Sequence, residues 1–520
     1  MHVTLICADD ETWAIGLRSI SAALKQAGHS TNIILTCSSN RDPGTRALAN
    51  IGTFATKSDI IGISSMSRNS KRAKALIATL KPLGKPIVWG GMHPTLYPED
   101  CVGHADLVCR GEGEEFMVDL ATRLSRGEEY LDIPNGGYAR NGQSVLNDVR
   151  PLITDLDKLP FVDFSFSDEF RLDIDGKLRP NIAMKEEGSI LFPGSRGCAF
   201  NCHYCSNAQV KALYESTGRF VRKMSIAKFV ESVKKCREIF PRIKYFYFTD
   251  EDFFARPIHE FREFAELYPK EVGLPFECMA SPQQISEQKM ELLVKAGLWR
   301  VDIGVESGSD RVKKEVFNRL GSNEVVLKAA AAIRNYPQVI TYYFFIIGNP
   351  YEGREDLLGT INLIRHLPYP AFIRTYNLVF LPGTHLFERA RKDGIVDGMS
   401  DSGFDLDFLA GFDYRNHDWK KNNLYLNGLI SLMTAKATRH RTGFIPRAIL
   451  PMLIRPGWID FNDRHHTLSK TMIALARGGV KLRRNAMVLV SRILKDPSSA
   501  YNVRGLMKKL LKGNVGQNST

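Results

Sequence analysis

Three cysteines carry the residue types and the spacing best suited to chemistry. Cys198, Cys202 and Cys205 are separated by three residues and then by two. The apolar run Ile190–Phe192 precedes them and predicts a strand, and two glycines then loosen the backbone before the first thiol. A tight loop of this kind can direct three thiolates to one point. A [4Fe–4S] cluster normally takes four thiolates, so three would leave one iron open to a substrate or cofactor.

The cysteine spacing is also compatible with a zinc site, a disulfide or chance. A zinc site would need a fourth ligand such as His203. His203 lies between two of the cysteines, however, where four groups could hardly close a tetrahedron. A disulfide is not favoured in a chain without a secretory signal.

The cysteine pattern resembles the cluster loop of the radical S-adenosylmethionine (SAM) enzymes, with Tyr204 in the aromatic position before the last cysteine. The resemblance implies that Cys198, Cys202 and Cys205 hold a [4Fe–4S] cluster whose open iron binds the amino and carboxylate groups of SAM. It also implies that one electron from the cluster cleaves SAM to a 5′-deoxyadenosyl radical, and that Tyr204 lies in the SAM site.

The chain length and the other cysteines limit the class of protein. A chain of 520 residues is long enough for two to four domains with full cores. The other cysteines are scattered, mostly in apolar runs, and predict buried thiols. The N-terminus lacks the charged start and cleavage site of a signal peptide. No run of about 18 apolar residues predicts a spanning helix. We therefore expect a cytoplasmic protein.

The positive charge of the chain is concentrated in its tail. The formal net charge is +13. Residues 411–520 hold about 20 Lys and Arg against about 5 Asp and Glu, so that everything before them is close to neutral. Any partner attracted by charge is therefore expected to meet the tail.

Residues 1–145 alternate strand-like and helix-like runs. This alternation predicts a parallel, doubly wound, flavodoxin-like sheet, whose ligands lie at the carboxyl ends of the strands. The predicted helices are Glu11–Ala27 and Ser70–Leu80, and the predicted strands are Val3–Ala8, Thr31–Leu35, Ile60–Ile63, Pro86–Trp89 and Ala105–Cys109.

The turns after the last three of these strands are rich in glycine and serine. They resemble the turns of the cobalamin-binding domain found ahead of many radical SAM domains. Glycines let backbone amides approach a large flat ligand, and hydroxyls supply hydrogen bonds. The resemblance implies cobalamin contacts at Ser64, Ser65, Gly90, Gly91, His93, Gly111 and Glu112.

His93 is not interpreted as a cobalt ligand. The D-x-H-x-x-G signature, whose histidine binds cobalt in the cobalamin mutases and methionine synthase, is absent. We interpret His93 as a turn residue that bonds its own loop. For the whole domain, an ordinary flavodoxin-like fold with an empty or different site is the alternative.

Residues 146–187 are interpreted as a linker, and residues 188–395 as the radical SAM domain. That domain contains strand-like runs that are each followed by a helix-like stretch, and six such units predict the partial barrel of radical SAM proteins. The predicted strands are Ile190–Phe192, Tyr245–Phe248, Phe276–Met279, Val301–Val305, Tyr342–Ile347 and Tyr376–Leu381.

The carboxyl ends of the barrel strands are polar, and the resemblance implies SAM contacts there. Asp250 begins an acidic run where relatives often carry Gly-Gly-Glu, a motif that this chain replaces. Glu306 and Ser307 end the fourth strand, and a carboxylate can accept from ribose hydroxyls or the ammonium. Gly348 and Pro350 resemble the turn that shapes the adenine pocket.

Glu352 and Thr384, which also follow barrel strands, have a simpler interpretation. Both could cap the helices that follow them. The same interpretation is weaker for Glu306, which ends an apolar run and would otherwise be a half-buried, unpaired charge.

Residues 396–520 form a basic region predicted to be mainly helical, with helices over 422–437 and 468–487. One interpretation is a helical cap over the barrel mouth. A second is a surface that makes peripheral contact with an anionic membrane, where each Lys or Arg contributes about 1 kcal/mol. A third is RNA contact, but no RNA-binding module is recognisable, so a nucleic-acid partner is not expected.

The resemblance covers about the first 395 residues and implies a cobalamin-dependent radical SAM enzyme with a [4Fe–4S] cluster, SAM and cobalamin as cofactors. We interpret it as a methyltransferase acting on an unactivated carbon of a small-molecule or lipid-like substrate, with an electron donor such as flavodoxin or ferredoxin. The alternatives are a cyclase or other ring-forming enzyme of the same family, a tRNA-modifying radical SAM enzyme, and a non-catalytic cobalamin or redox sensor.

Overall fold

The structure of the chain, a computed structural model, describes residues 1–9, 11–36, 43–215, 218–368, 371–396, 423–434 and 450–465. These residues divide into two units. The first comprises the described residues of Met1–Gly304, Lys313–Thr341 and Val379–Asp405. The second comprises the described residues of Val305–Val312, Tyr342–Leu378 and Leu406–Thr520.

Among the described residues, the first 180 contribute a sheet of nine strands, in the order β7-β6-β5-β4-β3-β1-β2-β8-β9. The strands are β1 His2–Cys7, β2 Ser30–Leu35, β3 Ile60–Ser64, β4 Ile87–Gly90, β5 Leu107–Cys109, β6 Gly136–Arg140, β7 Gln143–Leu146, β8 Glu169–Leu172 and β9 Leu178–Pro180. The helices are α1 Ile15–Gln26, α2 Thr45–Ala55, α3 Ser70–Leu80, α4 Met92–Leu96 and α5 Glu114–Arg126.

The centre of this sheet is the predicted flavodoxin-like fold. Strands β1 to β5 are parallel and follow the order 2-1-3-4-5. Their side chains alternate between two apolar layers, since Val3 and Leu5 pack with α1 and α5 on one face, whereas Ile6 packs with α2 and α3 on the other. The doubly wound prediction is confirmed.

The edges of the sheet differ from the prediction, because the sheet is mixed rather than wholly parallel. β6 and β7 are antiparallel at one edge and β9 is antiparallel at the other. Residues 146–187, predicted as a linker, contribute β8 and β9. The buried Glu169 at the start of β8 receives two hydrogen bonds, of 2.5 and 2.8 Å, from the buried Arg18 of α1. This ion pair fastens the segment to the first sheet.

A second sheet, of six strands within the described residues, has the order β10-β13-β14-β15-β16-β17 and forms the predicted partial (β/α)6 barrel. In chain order the six strands of this sheet are β10 Ser189–Phe192, β13 Tyr245–Phe248, β14 Phe276–Ala280, β15 Leu298–Glu306, β16 Ile340–Ile347 and β17 Phe372–Asn377. Between β10 and β13 the chain forms a separate antiparallel pair, β11 Ser195–Arg196 and β12 Arg222–Lys223. The helices are α6 Ser206–Leu213, α7 Ile226–Ile239, α8 Ile258–Glu271, α9 Glu287–Ala296, α10 Asn323–Arg334, α11 Arg354–His366 and α12 His385–Lys392.

The predicted position of the sixth barrel strand is wrong by four residues. β17 ends at Asn377, which pairs with Ile347 at the end of β16. The apolar residues that follow continue the hydrophobic pattern, but the partner strand has already ended. Thr384 is therefore not at a strand end. It is the N-cap of α12, where its hydroxyl accepts from the backbone of Phe387 at 3.3 Å, as the capping interpretation requires.

The described part of the C-terminal region is helical, with α13 Leu424–Thr434, α14 Leu450–Leu453 and α15 Pro456–His465. α13 carries no charged residue, and Tyr425, Leu429 and Ile430 on it are fully buried. The predicted helix 468–487 and most of the basic tail lie outside the described residues. Among the helices that the structure describes, none has both the length and the apolarity needed to cross a bilayer.

Candidate cofactor sites

The turns after β3, β4 and β5 meet at one edge of the first sheet. The backbone amide of Ser65 donates to the carbonyl of Gly90 at 3.1 Å, and that of His93 donates to the carbonyl of Ser65 at 3.1 Å. The amide of Gly111 donates to the hydroxyl of Thr95 at 2.9 Å. The structure thus brings the three predicted cobalamin turns together.

Gly91 is the position where these turns approach each other most closely. Its φ of 99° favours glycine, and a Cβ there would lie 2.8 Å from the Ser64 hydroxyl and from the Ser65 carbonyl oxygen. Ser64, Gly90 and Gly91 remain partly exposed. A partly exposed edge made of glycine backbone and hydroxyls fits a large flat ligand.

His93 is fully buried and uses both ring nitrogens inside its own loop region. Nδ1 lies 3.1 Å from the hydroxyl of Ser67, and Nε2 lies 3.0 Å from a carboxylate oxygen of Asp100. The other oxygen of Asp100 accepts from Lys74 Nζ at 2.7 Å. Because both nitrogens are engaged, the geometry is that of a turn residue rather than of a cobalt ligand.

The ligand atoms of His93, Asp100 and Cys101 lie within 4.8 Å of one another, a spacing at which three groups could hold a metal ion. Burial raises the pKa of the Cys101 thiol, however, and the thiol donates to the carbonyl of Tyr97 at 3.5 Å. Lys74 already neutralises Asp100. The group is therefore a hydrogen-bonded support for the turn after β4.

Glu112, in the turn after β5, forms an ionic junction with β11 and β12, the strand pair next to the cysteine loop. One of its oxygens accepts from Arg196 and from Arg222, both at 2.9 Å, and the other accepts from the backbone of Ile153 at 3.1 Å. Burial alone would raise its pKa, but the two arginines hold the pKa of Glu112 below its usual value. Glu114 also pairs with Arg196, at 2.6 Å. The predicted cobalamin contact of Glu112 is thus committed to protein partners through its carboxylate.

Tyr214 completes the junction from the other side. It follows α6 directly, and its hydroxyl accepts from the backbone amide of Glu112 at 3.2 Å. A Cβ on Gly111 would lie 1.7 Å from this hydroxyl, so only glycine fits there. The turn after β5 therefore contacts both flanks of the cysteine loop: Arg196, two residues before the first cysteine, and Tyr214, after the helix that follows the last.

The cysteine loop begins after β10 and is held by backbone contacts. The amide of Cys205 donates to the carbonyl of Cys202 at 3.1 Å. The amide of His203 donates to the carbonyl of Phe317 at 2.9 Å, and the carbonyl of His203 accepts from the amide of Leu386 at 2.9 Å. These bonds fix the turn between the second and third thiols.

The thiols are suited to bind metal rather than to ionise alone. Burial raises the pKa of Cys198 to about 11 and that of Cys205 to about 12, and the nearby Glu251 adds to both shifts. Such thiols stay protonated until a cation displaces the proton. Three thiols in one loop match the donor set that an iron–sulfur cluster with one open iron would need.

Asp250, a predicted SAM contact, bonds the backbone at the entrance to the cysteine loop. It is 1% exposed, and its carboxylate accepts from the amide of Gly194 at 2.8 Å. Arg256 lies 3.8 Å from the same carboxylate and donates to the carbonyl of Gly194 at 2.8 Å. Both backbone groups of Gly194 are thereby fixed.

The two acids that follow Asp250 belong to the same predicted acidic run, but the sequence did not distinguish their roles. Glu251 is exposed, its carboxyl group bonds Asn207, and partial desolvation raises its pKa. Neither oxygen of the buried Asp252 has a hydrogen bond of normal geometry within the described residues. Burial raises the pKa of Asp252 to about 6, against the opposing effects of Ser281, Arg319 and Lys289. The run of three acids in the sequence indicated a site here. It did not show which of the three carboxylates is left to bind a ligand.

Tyr204 packs edge-on against Phe317, with the ring centroids 5.0 Å apart. Its hydroxyl accepts from Arg319 Nη1 at 3.3 Å. Arg319 lies more than 100 residues from the cysteines in sequence, and no local motif marked it as a functional residue.

Glu306, at the end of β15, lies in the second unit and has a φ of 70°. This left-handed conformation costs a residue with a side chain about 1–2 kcal/mol. The amide of Ser307 donates back to the carbonyl of Val305 at 2.9 Å, which closes the turn. Strain of this kind clusters at functional sites.

Ser307 is fully buried and bonded within the second unit. Its hydroxyl donates to Glu352 at 3.2 Å and accepts from the amide of Ser309 at 3.1 Å. The other oxygen of Glu352 is buried without a described partner. Burial raises the pKa of Glu352 to about 8, and the nearby Asp356 adds to the shift.

Asp356 has the opposite environment. It accepts from Ser309 and Arg311 at 2.5 Å and from the amide of Gly353 at 2.8 Å. Although burial opposes the effect, these donors hold the pKa of Asp356 below its usual value. Asp356, in the first turn of α11, rather than Glu352, is thus the acid that caps this helix.

Gly348 and Pro350 lie in the turn after β16, which α13 supports. The amide of Gly348 donates to Asn427 at 3.2 Å, and the side chain of Asn423 donates to the carbonyl of Glu352 at 2.9 Å. Gly348 has a φ of 69°, and Pro350 is partly exposed. The supporting asparagines come from the C-terminal region, where the sequence offered no motif.

Two family models match the chain. The model of the B12 binding domain matches residues 1–121, which contain the turns after β3, β4 and β5. The model of the radical SAM superfamily matches residues 192–364, which contain the cysteine loop. Together the matches cover more than half of the 520 residues.

Relatives are similar over about two thirds of the chain. An uncharacterized methyltransferase of Pyrococcus horikoshii is 27% identical over 357 residues, which are 66% of this chain and 71% of that protein. The anaerobic magnesium-protoporphyrin IX monomethyl ester cyclase of Rubrivivax gelatinosus is 26% identical over 360 residues, which are 66% of this chain and 60% of that protein.

A solved structure has the same fold. The radical SAM methyltransferase TsrM of Kitasatospora setae, with cobalamin and a [4Fe–4S] cluster bound, gives a TM-score of 0.66 at 16% identity. The superposition covers 92% of this chain and 99% of that one. At this identity the similarity concerns the fold.

Proposed function

Because this chain belongs to the cobalamin-binding radical SAM enzymes, we propose that it is a methyltransferase that acts on an unactivated carbon of a small-molecule or lipid-like substrate. The observation that carries the proposal is the junction in which Glu112 of the B12 binding domain bonds Arg196, beside the cysteine loop. When bound, the cluster and SAM supply radical chemistry and cobalamin carries the methyl group. The junction brings the two cofactor-binding loops together.

Cys198, Cys202 and Cys205 are proposed to hold the cluster. Cys202 is 6% exposed and the other two are partly buried, so the loop limits the access of water to the centre. Asp250 holds the entrance of the loop through Gly194. Its proposed role is therefore to position the thiols rather than to contact SAM directly.

Asp252 is proposed as the acid of this run that receives the SAM ammonium, because its two oxygens are buried without a hydrogen bond of normal geometry among the described residues. Tyr204, Glu306, Gly348 and Pro350 remain proposed SAM contacts. Ser307 is proposed to act through Glu352, to which its hydroxyl is already bonded.

The proposed cobalamin contacts are the partly exposed backbone and hydroxyl groups of Ser64, Gly90, Gly91 and Gly111, with Ser65 behind them. His93 and Glu112 are proposed to position these turns, since their side chains are bonded to protein partners. Under this proposal no histidine of the turn after β4 binds cobalt.

A ring-forming reaction is the second candidate, and one observation favours it: the similar protein of Rubrivivax gelatinosus is named a cyclase. Both reactions would use the same cofactors. They differ in whether the methyl group of SAM enters the product, which makes them separable by isotope labelling.

Two partners complete the proposal. An electron donor such as flavodoxin or ferredoxin is needed, because the cluster must receive one electron for each SAM cleaved. Peripheral contact with an anionic membrane is proposed for the basic tail, whose charge of about +15 favours it. Vesicles that contain anionic lipid should bind the full chain more strongly than neutral vesicles, and equal binding would remove the membrane from the proposal.

The function can be tested by anaerobic reconstitution with iron, sulfide and cobalamin. The reduced protein is incubated with methyl-labelled SAM and nuclease-treated cell extract, and the mixture is examined by mass spectrometry. We expect 5′-deoxyadenosine and a small molecule that carries the label. An unlabelled ring-closed product would favour the cyclase. Zinc in place of the cluster, or SAM that stays intact, would contradict the proposal, and activity lost with the nuclease treatment would favour a tRNA substrate.

A further inference from the structure

We propose that Arg319 is a positioning residue that donates to the sulfur of Cys202 and so raises the reduction potential of the cluster. The inference rests on the proposed binding of the cluster by Cys198, Cys202 and Cys205. It concerns a residue far from the cysteines in sequence, and it assigns to that residue control of how readily the centre accepts an electron.

Three contacts hold the guanidinium of Arg319 in place. Nη1 lies 3.7 Å from the sulfur of Cys202 and 3.3 Å from the hydroxyl of Tyr204. Nη2 donates to the carbonyl of Gly304 at 2.6 Å. Bonds to sulfur are longer than bonds to oxygen because the sulfur atom is larger. A planar guanidinium that is bonded at both Nη1 and Nη2 has little freedom to rotate away from the sulfur.

The contact with Cys202 belongs to a longer seam between two segments. The side chain of Asn318 donates to the carbonyl of Asn201 at 2.9 Å. The carbonyl of Phe317 accepts from the amide of His203 at 2.9 Å. Each of residues 317–319 therefore contacts a residue of the segment 201–204, and this pairing fixes the position of Arg319.

The backbone before Arg319 is fixed as well. The amide of Arg319 itself donates to the carbonyl of Lys313 at 2.7 Å. Asn318 has a φ of 47°, a left-handed conformation that asparagine tolerates better than most residues. The conformation of this turn therefore places the side chain of Arg319 against the cysteine loop.

The charge of Arg319 offsets an acidic surrounding. Glu251 interacts electrostatically with Cys198 and Cys205, and Asp252 interacts with Cys198. Asp252 also interacts with Arg319. Negative charge near an iron–sulfur cluster lowers its potential, whereas positive charge and hydrogen bonds to its sulfur ligands raise it. Arg319 supplies both of the latter at a single thiolate.

The test compares Arg319→Gln, which removes the charge, with Arg319→Lys, which keeps the charge and loses the planar donor pair. Arg389→Gln is the matched control, because Arg389 interacts electrostatically with His203 of the same loop while its guanidinium donates to the Glu315 carbonyl at 3.4 Å. Each full-length protein is reconstituted anaerobically, its iron and sulfide are counted, and its midpoint potential is measured by EPR-monitored titration without SAM.

We expect each variant to hold the same iron and sulfide as the wild type. The potential of Arg319→Gln should shift to a more negative value, that of Arg319→Lys should shift less, and that of Arg389→Gln should shift least. Unchanged or more positive potentials in the two Arg319 variants would overturn the inference. If Arg319→Gln fails to hold the cluster, the sign of the shift in Arg319→Lys decides.

The outcome separates this inference from the proposed function. A wild-type protein that binds no [4Fe–4S] cluster refutes the proposed function itself. A wild-type protein that binds the cluster and cleaves SAM, with Arg319 variants of unaltered potential, refutes only the role of Arg319.

Discussion

The strand ends of the two sheets satisfy their polar side chains differently. In the first sheet, His93 bonds Ser67 and Asp100, and Glu112 is paired with two arginines. In the second sheet, the oxygens of Asp252 and one oxygen of Glu352 are buried without a hydrogen bond of normal geometry among the described residues, and Glu306 has a strained backbone.

The difference separates two ways of preparing a ligand site. The first sheet offers backbone and hydroxyl groups on turns that are already complete without a ligand. The second sheet keeps buried acids and thiols in states that a ligand would improve. Substitution of a satisfied group, as in the first sheet, should therefore cost stability, whereas substitution of an unsatisfied or strained group in the second sheet should cost binding and leave the fold equally or more stable.

The largest effect is expected from Cys202→Ala, which removes one of the three thiols. Cluster absorbance and SAM cleavage should disappear together, while the unfolding transition of the apo protein stays close to that of the wild type. Cys236→Ala is the control, because this buried thiol lies in α7 and is not part of the loop. SAM cleavage that survives in Cys202→Ala would refute the assignment.

The next effect is a pH dependence that involves Glu352. Its folded-state pKa of about 8 lies above the usual 4.5, so its protonated form stabilises the fold fully below pH 4.5, and that stability is lost as the pH rises through 8. Glu352→Gln should remove this loss and be more stable than the wild type at pH 9, by on the order of 4 kcal/mol at most.

Asp356→Asn gives the opposite comparison in the same unit. Its pKa is held below the usual 3.8, so its contribution is present above that pH and is lost as the pH falls. The variant should therefore be less stable than the wild type at neutral pH. Urea unfolding at pH 5, 7 and 9 measures both variants, and a Glu352→Gln variant that is less stable at pH 9 would contradict the expected protonation.

Glu112→Gln tests the first sheet. The change leaves Arg196 and Arg222 without their shared carboxylate, so we expect a loss of about 2 kcal/mol in the free energy of unfolding. Glu115→Gln is the control, because Glu115 pairs with Arg150 while 55% exposed and should cost less than about 0.5 kcal/mol. Equal losses of unfolding free energy in the two variants would show that the ion pairs of Glu112 stabilise the fold no more than an exposed ion pair does.

The smallest effect is expected from Glu306→Gly, which relieves the strained backbone. We expect a gain of about 1 kcal/mol in stability, together with weaker binding of SAM. Asn141→Gly is the matched control, since Asn141 has a φ of 53° in the turn between β6 and β7. That variant should bind SAM normally. A Glu306→Gly variant with normal SAM binding would remove Glu306 from the site.

The apolar runs of the sequence predicted the central strands of both sheets, because a buried parallel strand is a short and nearly continuous hydrophobic segment. The same reasoning missed β6 to β9, which are short and carry polar or exposed residues. It also placed β17 too late, because the hydrophobic pattern continues beyond the end of the partner strand.

Within the sites, motif spacing identified the cysteines and the glycine turns but not the use of each side chain. Asp250 and Asp252 look equivalent in sequence, and only the fold shows that the first is bonded to Gly194. Arg319 and Asn427 reach their sites through chain topology, which leaves no trace in the local sequence around the residues they contact.

The shared bonds of the turn after β5 have a thermodynamic consequence. Ordering of the cysteine loop and ordering of the corrinoid-binding turns draw on the same ion pairs of Glu112 and the same hydroxyl of Tyr214. Occupation of one loop should therefore tighten the other, and linkage requires the effect to be reciprocal. Protein reconstituted with iron and sulfide should retain its corrinoid more tenaciously than apo protein, by the same factor by which the corrinoid tightens retention of the iron.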